Sequence, residues 1–336
     1  MGDKTTAVGH GLRPKATIQK FLISTTSRMT GEFESSGILI AHAWPDLWSG
    51  PVGMRFGETH LSRSAYVIAF ETRPFEERPG TVTPDYSPLG EILAAYLSVL
   101  FGKRFDCHGL LKGSGRYQVP DLRSYDTPSN PEFPFNSHAP RRCFPVLLDL
   151  TQIVMVETAL EGSSPDTVDL SRLRAACKFY MQALQNAENN SEVAYLHLIT
   201  AGEILAGYFR YTDTRGVKRK FVRALCSLLD DGFYIAPDSI PAHARFHPNN
   251  IEENVGAAHD LRSRYVHTGA PFGRWVEPVL GIRGGDLQIG VPVVKDRELG
   301  RILAVAPTFL GLERLVRYCV LTYMASHGVL VRDSDG

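Results

Sequence analysis

The sequence predicts an α+β protein, in which a mixed, partly β-rich N-terminal domain precedes an all-helical C-terminal one. Two patterns carry that expectation. Up to about residue 160, short apolar runs of β-branched and aromatic residues stand between Gly, Pro and Ser, as strands stand between turns. From about residue 165 onward, apolar side chains recur every three or four residues, the period of a helix with one buried face. Length agrees, because 336 residues exceed one small domain and suit two of average size.

Residues 1–20 are polar and glycine-containing and read as a flexible tail. Residues 21–160 read as the mixed α/β domain, of unknown role. Within it, Gly37–Trp44 and Ala65–Glu71 have the short apolar character of strands. Pro74–Pro88 holds four prolines and reads as a loop. Ser87-Pro88 then opens a helix over Leu89–Leu100, since proline is tolerated in a first turn, and Gly102 stands where a helix C-terminus needs it. Asp126–Arg142 reads as a long loop, and Phe144–Leu160 is apolar enough for either a strand or a helix. Glu161-Gly-Ser-Ser-Pro-Asp166 has linker composition and sets the domain boundary.

The helical domain, residues 165–336, divides into five segments. Asp169 is a suitable N-cap for Leu170–Asn186, and Ser191 for Glu192–Phe209. The second of these is apolar nearly all round, which marks it as central. Gly216–Leu229 follows, then Asn250–His267 closed by Thr268-Gly269, then Pro307–Ser326. Residues 274–300 read as a small insertion.

The 36 basic and 36 acidic residues cancel, so the chain lacks the basic excess of a protein that coats nucleic acid without specificity. A site needs only a local cluster of cations. The five cysteines are scattered and form no CxxC pair, which argues for free thiols in a reducing, cytoplasmic setting. No stretch reaches the roughly 18 apolar residues that span a bilayer. Met1–Lys20 lacks the basic start and apolar core of a signal peptide.

One side chain breaks its pattern. At about 100° per residue, Ile251, Val255, Ala258, Leu261 and Tyr265 form an apolar stripe on the fourth helix, and Arg262 falls near its middle. Arg264 points the other way, with Asp260 four residues earlier as a local partner. Arg262 has no such partner, and burying an unpaired guanidinium is prohibitive. The second helix offers Glu203, its only carboxylate between Val193 and Phe209, where His197 is the only basic side chain. Packing of these helices is therefore expected to bring Glu203 and Arg262 together, as a buried ion pair that fixes helix register or as part of a site. His267 follows Arg262 by five residues, which turns it about 140° away on a regular helix. The two share a face only if the helix ends between them or a second subunit completes the site. Alone, His267 reads as an ordinary partner of the helix dipole.

The segment Ala258-His-Asp-Leu-Arg-Ser-Arg-Tyr-Val-His-Thr-Gly269 resembles the signature of HEPN domains, in particular their Apea-like branch. That signature is an Arg followed a few residues later by His, often with a polar residue after the Arg, which is the place of Ser263. Leu198–Leu205, which carries Glu203, and Leu312–Cys319 resemble further helices of the family. The resemblance covers about half the chain, from residue 165 to the end. It implies a HEPN-like helical bundle and metal-independent endoribonuclease chemistry, in which a ribose 2′-OH attacks the adjacent phosphate. His267 takes the role of general acid or base, which suits a side chain type that titrates near neutrality. Arg262 opposes the charge growing on the phosphoryl oxygens. Glu203 orients Arg262, and Ser263 adds a phosphate hydrogen bond. The resemblance also implies a homodimer, an RNA substrate, a prokaryotic defence or toxin setting, and a trigger or ligand acting at the N-terminal domain. The alternative it leaves open is a non-catalytic module that binds RNA, nucleotide or protein.

Arg215–Arg223 adds a compact basic run, in which Lys218, Arg219, Lys220 and Arg223 are candidates for RNA phosphate contact. Positive charge at a helix start opposes the dipole, and a solvated basic face is the simpler reading. Gly113-Ser-Gly115 lacks the spacing of a nucleophile elbow, and Gly102-Lys-Arg lacks the second glycine of a phosphate loop. No HExxH or Cys/His zinc spacing occurs, so neither a metal nor a cofactor is expected.

Overall fold

Antiparallel pairing of nine-residue strands organises the N-terminal half. β1 (Thr17–Thr25) pairs along its whole length with β5 (Ser64–Thr72). The computed structural model describes residues 17–25, 29–34, 38–43, 64–72, 86–111, 146–148, 167–209, 211–235, 241–277, 287–290, 294–327 and 329. Most of the Pro74–Pro88 loop and of Phe144–Leu160 lies outside them, as do Gly113–Gly115, the Asp126–Arg142 loop and the Glu161–Asp166 linker.

Short strands β2 (Met29–Thr30) and β3 (Phe33–Glu34) precede β4 (Ile38–His42), and β6 (Phe105–Leu110) and β7 (Val146–Leu147) follow β5. The sheet order is β3-β4-β5-β1-β6, with every pairing antiparallel, while β2 and β7 form a separate parallel pair. β1 begins inside the stretch read as a tail, because residues 17–20 complete the ladder opposite residues 69–72. Alternation along β1 sends Phe21 and Ile23 into the main core, while Leu22 meets Val67 on the other face.

The main-core face is covered by α1 (Ser87–Phe101). Pro88 stands in its first turn, and Gly102 ends it at φ 55°, donating its N–H to the Ser98 carbonyl. α1 lies so close to β1 that a methyl group at Gly90 would overlap the Phe21 ring.

The second half is helical: α2 (Thr167–Asn186), α3 (Ser191–Ala206), α4 (Val217–Cys226), α5 (Asp231–Tyr234), α6 (Ile251–Thr268), α7 (Gly273–Val276), α8 (Arg297–Leu303) and α9 (Phe309–Ser326). A sheet of five strands beside these helices makes the class α+β. Several caps differ from expectation. α2 starts at Thr167, so Asp169 lies inside the helix rather than at its cap. Asn190, not Ser191, caps α3, because its side chain accepts the Val193 N–H at 3.1 Å while Ser191 donates to Glu277. α4 ends at Cys226, and α7 and α8 occupy part of the expected insertion.

One apolar cluster runs from Phe21 and Phe105 through Leu97 to Leu198, Leu261 and Leu315. α9 joins its ends, since the fully buried Arg317 donates to the Val99 and Leu100 carbonyls at the end of α1. Glu313 accepts from Tyr180 on α2, and Arg314 reaches the Phe233 carbonyl on α5. Among the described residues, no helix is long and apolar enough to cross a membrane.

Candidate functional site

α6 holds Arg262, Ser263 and His267. Glu252 and Glu253 occupy its first turn, at the positive end of the dipole. The helix then continues unbroken to Thr268, where Gly269 at φ 66° donates its N–H to the Tyr265 carbonyl at 2.8 Å. With no break between them, Arg262 and His267 keep a divergence of about 140°. Within one chain they do not share a face of the helix.

Arg262 instead faces α3. Its Nη2 lies 3.7 Å from Oε2 of Glu203, and its side chain keeps 35% of its exposure. A third group joins them from one turn earlier on α6. His259 places Nε2 3.5 Å from the other carboxylate oxygen of Glu203, with the Phe221 ring centroid 5.6 Å away. The His259–Glu203 separation is at the outer limit of a hydrogen bond. Glu203 is thus shared by an imidazole and a guanidinium. His259, the largest influence, and then Arg262 hold its carboxyl below the ordinary 4.5, against burial, which pushes the other way.

A depressed carboxyl contributes stability that is full above its unfolded value and lost as pH falls through the folded one. The stability gap between wild type and Glu203→Gln is therefore expected to be constant above pH 4.5 and to close below it. Urea unfolding from pH 3 to pH 7 (roughly spanning the carboxylate range) checks this, and a gap that widens in acid would sink the assignment.

His267 is exposed and makes no hydrogen bond or ion pair with the described residues, while Ser263 is half-buried. The basic run divides. Lys218 pairs with Asp260 at 2.5 Å, its stem crossing α6 where Gly256 leaves room. Arg223 pairs with Asp213 at 2.6 Å and lies 4.2 Å over the Tyr211 ring. Arg219 and Lys220 are exposed, without ion pairs among the described residues. Because Lys218 takes Asp260, the local Asp260–Arg264 pair expected from spacing does not form. Arg264 reaches across to α8 and binds Asp296 and Glu298 at 2.6 and 2.8 Å. Between α4, α6 and α8 lies an open groove of about 910 Å³.

His259 is the residue that sequence reasoning passed over. Its signal was present, since it precedes Arg262 by three residues and falls about 60° from it on the same side of the helix. Its neighbours Ala257 and Ala258 are buried, and His259 is buried with them. Among the described residues, no three His, Cys, Asp or Glu side chains are grouped as a metal site.

No known protein family, curated protein or solved structure matches this chain.

Proposed function

We propose that this protein is a metal-independent HEPN-type endoribonuclease, with Arg262 as phosphate ligand and His267 as general acid or base. The observation that carries the reading is an Arg262 that faces Glu203 and is still accessible. Glu203 faces its guanidinium at 3.7 Å while 35% of the side chain stays open to an incoming anion. Glu203 therefore orients rather than reacts, His259 steadies Glu203 from its other oxygen, and Ser263 stands beside the arginine. The exposed imidazole of His267 is free to exchange protons with a substrate. Since the two groups diverge on one helix, the active form in this reading is a homodimer. In it, Arg262 of one chain and His267 of the other flank a single phosphodiester. Cleavage leaves a 2′,3′-cyclic phosphate and a 5′-hydroxyl. The HEPN resemblance adds a prokaryotic defence or toxin setting, with a trigger acting on the N-terminal half.

One observation favours a second reading. The unbroken α6 keeps Arg262 and His267 apart within a chain, as suits a binding module whose arginine is structural. Incubation with total RNA in EDTA separates the two. Wild type is expected to cut and leave cyclic-phosphate ends, and Arg262→Ala and His267→Ala are each expected to cut at least about a hundredfold more slowly. Equal cleavage by all three proteins would refute this site, and no cleavage by wild type would favour the binding module.

A further inference from the structure

The groove between α4, α6 and α8 is not explained by the Glu203–Arg262 site, which opens on the α3 side of α6. Its floor is apolar, built from Val222, Ala257, Ile302 and Val305. Its charged walls are only partly satisfied. Lys218 is neutralised by Asp260 and Arg223 by Asp213. Arg219 on α4 and Arg301 on α8 both line the groove, are exposed, and have no acceptor among the described residues.

The helix contacts fix where these two arginines stand. Lys218 passes over Gly256 to reach Asp260, and Val222 also lies beside Gly256, so α4 runs antiparallel to α6. Arg264 binds the start of α8, while Asn254 donates to the Val305 carbonyl just past its end at 2.7 Å, so α8 runs antiparallel to α6 as well. Arg219 and Arg301 therefore flank the middle of the groove from opposite walls. Glu252 and Glu253 stand at one end, where the first turn of α6 stabilises their charge.

We propose that this groove binds a nucleoside phosphate, with Arg219 and Arg301 closing on the phosphate from either side. The apolar floor takes the flat face of the base, a surface that water solvates poorly. Glu252 and Glu253 accept hydrogen bonds from an exocyclic amine of the base, which a bare phosphate lacks. A purely anionic ligand would meet repulsion at that end, and an apolar one would leave both guanidiniums unused. The same chemistry is offered by a free nucleotide and by one unit of an RNA strand.

Calorimetric titration of the full chain distinguishes these sources, using ADP in one arm and a short single-stranded RNA with 2′-O-methyl riboses in the other. Neither probe can undergo 2′-OH attack at an internal linkage, so the result is independent of the ribonuclease reading. Wild type is expected to bind at least one probe, and the Arg219→Ala/Arg301→Ala double variant to bind it about tenfold or more weakly. Arg274→Ala removes an equal charge from α7, a helix that does not line the groove, and is expected to bind as wild type does. Binding of ADP assigns a free nucleotide, and binding of the oligonucleotide alone assigns a strand. Failure of wild type to bind either probe overturns the proposal. So does undiminished binding by the double variant, or an equal loss with Arg274→Ala.

Discussion

Replacing Arg317 with alanine is expected to lower the unfolding free energy by about 3 kcal/mol or more, the largest stability loss foreseen for a single side chain here. The last carbonyls of any helix lack intrahelical partners. In α1 the Ser98 carbonyl is taken by the backbone at Gly102 and Lys103. Those of Val99 and Leu100 are left over, and both lie in the core. Arg317 supplies them from α9, with Nε–H donating to one and Nη2–H to the other. Its charge also faces the negative end of the α1 dipole, where a cation is favoured. Truncation leaves two buried acceptors unsatisfied, each worth about 1–3 kcal/mol, and an empty volume beside them. Lysine does not restore the pair, since one ammonium cannot reproduce the planar fork. Urea denaturation with an unchanged slope and a lower midpoint checks this. A loss below about 1 kcal/mol would mean that α9 does not hold α1 in place.

The reach of this contact also shows what the sequence could reveal. β4, β5 and α1 were legible because their signals are local: apolar β-branched runs between turns, and a proline start with a glycine stop. β6, with the sequence Phe-Asp-Cys-His-Gly-Leu, has little strand character and exists because β1 offers it an edge. At the N-terminus of α3, Asn190 and Ser191 are both good caps, and only the tertiary contact from Ser191 to Glu277 sends the serine elsewhere. Nothing in the residues around Arg317 marks its partners. Its role depends on a carbonyl pair 217 and 218 residues away in sequence. The site follows the same rule. Glu203 and Arg262 were readable because a charge on an apolar face demands a partner on the packed helix. The partners of Arg264 were not, because two carboxylates of α8 outcompeted the nearer Asp260, which Lys218 had already taken.

A mixture of Arg262→Ala and His267→Ala proteins, each nearly inactive alone, is expected to recover about a quarter of wild-type cleavage if the active site is shared across a two-fold axis. The reasoning rests on the continuity of α6 from Ile251 to Thr268. A five-residue step on an unbroken helix leaves the guanidinium and the imidazole on different sides, and no rotamer closes an angle of about 140°. A second copy supplies the missing group without bending the helix. In a mixed dimer, one of the two composite sites then combines an intact arginine with an intact histidine, and the other has neither. Random pairing makes about half of the dimers mixed, with one working site in two, which gives the quarter. The two variants are unfolded and refolded together so that chains exchange fully, then assayed with RNA in EDTA. Recovery places Arg262 and His267 in one reaction on opposite chains. A mixture as inactive as its components, although each variant retains wild-type stability, would show that the two residues do not meet across a dimer. The two groups would then serve separate roles on separate faces of α6.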